Sequence, residues 1–227
     1  MFKNSPPTAK GEQTRTAIFE TALELFRDRG FDSTTMQDIA DAAGIAKSAA
    51  YYYFPSKEAI VTAYYDAIQT EQEHRCAEVF AQTSDMRRRL EAALMTKFDL
   101  AQNDRKLLGI IFRYAGEPAH PLSCLGEATA DVRRRAMRSF SEALSVERLP
   151  RDLEQLLPLA LWSLQMGLLV LFLYDSSRGQ ERTRRLASGA LNLTRKLLTL
   201  ARLPILKPIR TSLLALLREA ELLPQIN

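Results

Sequence analysis

Apolar positions recur at three- and four-residue spacing along most of the chain, the signature of helices that bury one face. Ile18, Phe19, Ala22, Leu23 and Phe26 share such a face and predict a first helix over 12–29. Gly30 stands where a helix end takes a left-handed residue, and Phe31 can fold back onto the last turn. Thr35 followed by Asp38 has the spacing of a capping box and opens a second helix, MQDIADAA. Gly44 ends it after two turns. A third helix runs from near Lys47 to Phe54, ahead of Pro55, and Ser56 can cap a fourth that starts at Lys57. Further helices are predicted over 85–103, 105–114, 126–145, 151–175, 180–202 and 208–223. The longest irregular piece, 116–125, contains Pro118 and Pro121.

Composition agrees with an all-α protein. There are 35 leucines, only 5 valines and 9 glycines in 227 residues. Leucine keeps most of its rotamer freedom in a helix, whereas strands favour β-branched residues, so a sandwich, a barrel or a parallel α/β sheet is unlike this chain. A content of 46% hydrophobic and 26% charged residues excludes a wholly disordered or collagenous chain. Leucine is also unevenly placed, with only Leu23 and Leu25 in the first 58 residues. This predicts a disordered lead-in over 1–11, a small helical module over 12–58 that continues into a connecting helix at 57–82, and a larger bundle over 59–227.

The chemistry of catalysis is not evident. Cys76 and Cys124 have no metal-type spacing, and His74 and His120 lie far apart. Neither a nucleophile–base pair nor a phosphate loop stands out, so no cofactor, metal or enzymatic activity is expected. Two reduced thiols and an N-terminus without an apolar signal run point to the cytoplasm. The stretch 156–174 is 19 residues without a charge, near membrane-spanning length, but it holds Pro158, Ser163, Gln165 and Gly167 and lacks flanking aromatic belts. It reads as a helix buried in a core or a dimer interface. The basic clusters 87–89, 133–135 and 182–185 read as solvated faces.

Helix, tight turn and short helix over 36–53 outline a helix-turn-helix, whose second helix enters the major groove. Ala40 is small where the two helices approach, and Ile39, Ala43, Ile45 and Ala50 face inward. Lys47 and Ser48 open the third helix, where base edges are read, and Tyr51, Tyr52 and Tyr53 carry hydroxyls suited to phosphates. Consecutive helical residues point about 100° apart, so Tyr51–Phe54 cannot all face one core and at least one tyrosine must be exposed.

These residues resemble the TetR family of bacterial transcriptional regulators. TTMQDIADAAGIAKSAAYYYFPSKEAI, over 34–60, matches that family's signature at Thr35, Ile39, Ala40, Ala43, Gly44, Ile45, Tyr51, Phe54, Lys57 and Glu58, and ALELFRDRGFDSTT before it matches as well. The resemblance covers about the first 60 residues; beyond them only helical character and length are compatible. It implies that Thr35, Tyr52, Tyr53 and Lys57 contact phosphates, that Gln37, Lys47, Ser48 and Ala49 face bases, and that Tyr51 packs while touching the backbone. Three departures stand out. Ala46 cannot cap the recognition helix, Ser48 replaces a frequent glycine, and Ala50 replaces a larger apolar residue.

The resemblance further implies a homodimer on a palindromic double-stranded DNA operator and a small-molecule effector bound in the bundle. Release of a repressor would follow a shift between two dimer conformations. The helices over 156–174 and 186–200 are the interface candidates. Phe98, Phe112, Trp162, Met166 and Leu169 are candidates to line an effector pocket, with Gln165 or Arg113 as polar anchor. Gln165 needs a partner, which can be a ligand, a backbone carbonyl or the second subunit. The rival readings are a constitutive or structural DNA-binding protein with no effector and a helical-bundle enzyme.

Net charge sharpens the expectation for DNA. The chain carries +4, yet residues 1–58 hold 7 Lys+Arg against 8 Asp+Glu. The DNA-facing module is not the basic part of the chain, so binding is expected to depend weakly on salt.

Overall fold

Local chemistry places the helix ends close to where the pattern predicts them. The computed structural model describes residues 9–117 and 119–223; it is 79% helical, with no strand among those residues. Helix α1 spans Ala9–Arg29, α2 Met36–Ala42, α3 Lys47–Tyr53, α4 Lys57–Gln82 and α5 Met86–Ala101. They are followed by α6 Arg105–Ile111, α7 Ala130–Leu144, α8 Arg151–Tyr174, α9 Glu181–Ala201 and α10 Lys207–Glu219. Of the expected lead-in over 1–11, residues 1–8 lie outside the described residues, and Ala9–Gly11 are helical. Helix α7 starts four residues later than predicted, because Thr129 turns its hydroxyl back to the Ser123 carbonyl at 2.5 Å and holds 126–129 as a turn.

Contacts divide the chain into two compact units that do not follow a cut at residue 58. One joins Met1–Ala67 to Asn103–Ala130, and the other joins Ile68–Gln102 to Asp131–Asn227. Helix α4 therefore runs through both.

In the first unit, Ile18, Ala22, Leu23 and Phe26 of α1 are buried, as their spacing predicts, and Phe19 is half-buried. Gly30 adopts φ +88°, and the ring of Phe31 folds back edge-on to Phe26 at 5.2 Å. Buried Leu107, Leu108 and Ile111 place α6 in the same core. Polar bonds then fasten it: Arg27 of α1 donates through two nitrogens to Asp104 at 2.6 and 3.1 Å, and the Tyr64 hydroxyl of α4 donates to Asp104 at 2.7 Å. At the other end of α6, Arg113 and Tyr114 both donate to Asp32, at 2.8 and 2.6 Å. These bonds are the reason 103–130 joins the N-terminal helices.

The second unit is centred on α8. Leu153, Leu161, Trp162, Gln165, Leu168, Leu169 and Phe172 are buried, and the helix continues through buried Pro158. Phe172 stacks on Phe98 of α5 at 5.0 Å. The α8–α9 turn is built around Asp175, whose carboxylate accepts the N–H and hydroxyl of Ser177 and of Thr183 at 2.7–2.9 Å. The Ser177 hydrogen bonds, above all, hold that carboxyl well below the usual range. Arg210 fixes α10 by donating to Asp152 at 2.6 Å and to the carbonyls of Ala201 and Leu203.

By length and composition α8 could cross a membrane, but 56% of its most apolar window is buried within the protein. The charge-free run is thus a core helix of its unit. The arginine clusters are not simply solvated faces. Arg135 pairs with Glu73 at 2.7 Å, Arg184 with Asp99 at 2.7 Å, and Arg87 with Glu91 at 2.8 Å.

Candidate nucleic-acid interface

The helix-turn-helix starts from a fully made cap. Thr35 Oγ1 accepts the Asp38 N–H at 3.1 Å, and Asp38 Oδ2 accepts the Thr35 N–H at 2.8 Å and its hydroxyl at 2.6 Å. Those hydrogen bonds hold the half-buried Asp38's carboxyl below its ordinary range. Ile39 and Ala40 are completely buried, and Gly44 adopts φ +66° to turn the chain, which the Ile45 N–H secures by donating to the Ala40 carbonyl at 3.0 Å. Helix α3 follows from Ala46, which provides no side-chain cap, in keeping with its lack of an oxygen. Ala50 is the residue of α3 that is fully buried against its neighbours.

This packing projects one set of side chains outward. Lys47 and Ser48 are exposed, Ala49 is half-buried, and Lys47 has no protein partner among the described residues. Tyr51 is 45% and Tyr52 82% exposed, which settles which tyrosines leave the core; Tyr53 is half-buried with its ring edge-on to Tyr52 at 5.1 Å. Gln37 lies on the exposed side of α2, where its amide donates to Asp41 at 2.7 Å. Thr35 is exposed, but its hydroxyl and N–H are both engaged in the cap.

Lys57 departs from the expectation of a free phosphate-binding ammonium. Its Nζ donates to the carbonyls of Phe31 at 2.7 Å, Thr34 at 3.2 Å and Asp32 at 3.4 Å, and it lies 4.4 Å from the centre of the Phe31 ring. It ties the start of α4 to the α1–α2 loop. Its partners lie 23–26 residues earlier and are main-chain atoms, so no side-chain spacing along the chain announces them.

The seven effector candidates are not one set. Phe98, Trp162, Gln165 and Leu169 are buried in the second unit and Met166 is half-buried there. The Gln165 amide donates to the Ala93 carbonyl at 3.0 Å, so a main-chain acceptor meets its need for a partner. Phe112 and Arg113 belong to the first unit. Arg113 must be corrected as a polar anchor, since its guanidinium is exposed and committed to Asp32. A polar cleft of about 280 Å³ in the second unit is lined by Asp85, Arg87, Glu147, Arg195 and Arg202 among others, and by none of the seven.

The arrangement defines a class: an all-helical protein whose helix-turn-helix presents a polar, unpartnered recognition face. Comparison with known proteins specifies it. Residues 18–64 match the family described as bacterial regulatory proteins, tetR family, and residues 89–211 match the tetracyclin repressor-like C-terminal domain. The chain belongs to the TetR family. The second match corrects the expectation that nothing beyond residue 60 carries the family's pattern; its signal is spread over the bundle rather than gathered in a short motif.

The HTH-type transcriptional repressor KstR2 of Rhodococcus jostii is 33% identical over 106 residues, 47% of this chain and 50% of that protein. The HTH-type transcriptional activator FasR of Mycolicibacterium smegmatis is 31% identical over 109 residues, with the same 47% and 50% coverage. The chain thus spans about half the length of these curated relatives. Among solved structures, Thermus thermophilus FadR, a TetR-family repressor in complex with lauroyl-CoA, superposes with a TM-score of 0.61. It is 22% identical and covers 78% of this chain and 92% of its own, a likeness of fold.

Proposed function

We propose that the protein is a cytoplasmic transcriptional repressor that binds a palindromic operator as a homodimer and leaves it when a small-molecule effector occupies the bundle. The observation that carries this reading is the outward face of α3. Lys47, Ser48, Tyr51 and Tyr52 are all exposed on a helix held rigidly by buried Ala50 and by the capped α2. Lys47, Ser48 and Ala49 address bases, with Gln37 beside them. Tyr51, Tyr52 and Tyr53 donate to phosphates and set the register. Thr35 and Lys57 support this face from behind, and a direct phosphate contact by either would compete with bonds already made.

One short helix reads too few bases for specificity, and a two-fold dimer places two such helices about one DNA turn apart. The surface supplies apolar material for that dimer. Val170, Leu171 and Tyr174 near the end of α8 are exposed, as are Leu186, Leu193 and Leu197 of α9. Burying them against a second copy removes apolar area from water. Effector binding shifts the dimer between two conformations through α4, and only a difference in effector affinity between them drives release.

Fluorescence anisotropy with a duplex from the region upstream of the protein's own gene tests the reading. Wild type is expected to bind a palindromic segment at modest salt, and Lys47→Ala is expected to weaken it about tenfold with an unchanged melting curve. Absence of any specific duplex binding by wild type defeats the proposal.

A further inference from the structure

The second unit holds a polar cluster between α4, α5 and α7. Lys97 of α5 donates to Gln69 Oε1 of α4 at 2.8 Å, and Gln69 in turn donates to Glu73 at 3.2 Å. Arg135 of α7 already satisfies Glu73, with contacts at 2.7–3.2 Å, and also donates to Thr70 at 2.8 Å. Two cations and one carboxylate leave the cluster with one positive charge in excess. The Lys97 ammonium has three donors and one partner, a neutral amide.

One turn along the same two helices, Gln72 is 1% exposed. Its Nε2 donates to the Ala93 carbonyl at 2.5 Å, while its buried Oε1 has no protein partner among the described residues. Exchanging the amide's O and N would not remedy this, because it would face one acceptor with another. Gln69 and Gln72 are three residues apart and Ala93 and Lys97 four, so the Lys97–Gln69 and Gln72–Ala93 bonds lie about one turn apart along the two helices. Lys97 is half-buried, and desolvation lowers its pKa to about 8. Glu73, Cys76 and Arg135 are the other titratable groups around it; the Cys76 thiol, pushed up to about 11 by burial, is neutral.

We propose that Lys97 and Gln72 form the head-group site of the effector, and that the effector is an organic anion bearing a hydroxyl or amide N–H close to its charge. Lys97 supplies the charge partner and free donors, and Gln72 Oε1 accepts the ligand's hydrogen. Burying either group unpaired is costly, so a ligand offering both halves is favoured over one offering neither. Leu94 and Phe98 on α5 and Trp162 and Leu169 on α8 are buried in the same unit, so the aliphatic part of such an anion would be accommodated by apolar side chains. This inference rests on the effector-responsive reading above.

The protein's single tryptophan, Trp162, lies one turn before Gln165 on α8 and reports on the bundle interior. Its fluorescence is to be titrated with 3-hydroxydecanoate, decanoate and methyl 3-hydroxydecanoate. The hydroxy acid is expected to bind about tenfold more tightly than its ester, and Lys97→Met to erase that preference. Gln72→Leu is expected to erase the preference for the hydroxy acid over decanoate while leaving the preference for acid over ester. Equal binding of acid and ester by wild type, a preference that survives Lys97→Met, or no saturable change up to millimolar concentration overturns the proposal. If Lys97→Met fails to fold, the acid–ester comparison on wild type decides alone. Anisotropy on the same preparations without ligand separates the two readings: intact operator binding with indifference to the acid defeats only this inference, whereas loss of operator binding in wild type defeats the regulator itself.

Discussion

Three lysines divide the molecule's two units by how each treats a cation. In the first unit, Lys47 stands on the surface with no protein partner, and Lys57 is clasped by three main-chain carbonyls. In the second, Lys97 is half-buried with one neutral partner. In the first unit the buried or loop-bridging charges Asp104 and Lys57 are fully engaged, whereas Lys47 faces outward on the recognition helix. The second leaves a half-buried cation with only a neutral amide as its hydrogen-bond partner. An unmatched cation on a surface costs little, but an unmatched cation in a core has to be useful to be tolerated.

The sharpest way to break that contrast is to disarm the best-secured group of the first unit. Burial alone would raise the pKa of Asp104, yet Arg27 and Tyr64 hold it below the ordinary 3.8. Asp104→Ala leaves Arg27 and the Tyr64 hydroxyl without their acceptor and is expected to cost about 3 kcal/mol, read by urea unfolding. The sign with pH follows from the lowered pKa. The contribution of Asp104 is complete above 3.8 and is lost as pH falls through the folded value, so variant and wild type should converge in acid.

Lys57→Met is next, expected to destabilise by about 2 kcal/mol through three unfulfilled carbonyls, with DNA binding weakened as the α1–α2 loop loosens. Lys47→Ala should do the reverse, weakening DNA binding and leaving stability unchanged. Equal melting of the two variants would erase the distinction between anchor and contact.

Lys97→Met should stabilise the apoprotein by about 2 kcal/mol at pH 7. Between about 8, its folded pKa, and the ordinary 10.5, wild type gains stability with rising pH, because the unfolded chain binds the extra proton. The advantage of the variant should therefore vanish above pH 10.5. A destabilised Lys97→Met at neutral pH would mean that the ammonium holds the bundle together. The smallest effect concerns the uncapped recognition helix: Ala46→Ser is expected to add about 1 kcal/mol, seen as a rise in melting temperature.

What could be read along the chain was local. The cap at Thr35 and Asp38, the left-handed turns at Gly30 and Gly44, the folding back of Phe31 and the Ser56 cap, which accepts the Ala59 N–H at 3.2 Å, each join residues at most five apart. The recognition face was legible for the same reason, since four consecutive aromatic residues on a short helix cannot all point inward. The polar bonds that organise the units are not local. Arg27 reaches Asp104 across 77 residues, Arg113 reaches Asp32 across 81, and Gln165 reaches Ala93 across 72. Nothing in the spacing of these residues announces the pairing, which is why Arg113 reads as a free anchor and Lys57 as a free cation until their partners appear.

The sequence by itself determined the helices, most of their ends and the exposure of at least one tyrosine on α3, because hydrophobic period and capping act within a few turns. Only the tertiary structure decided which charges are committed and which are left over. That outcome depends on which helices meet, and a hydrogen bond between distant residues exists only once packing has excluded water from both of its ends.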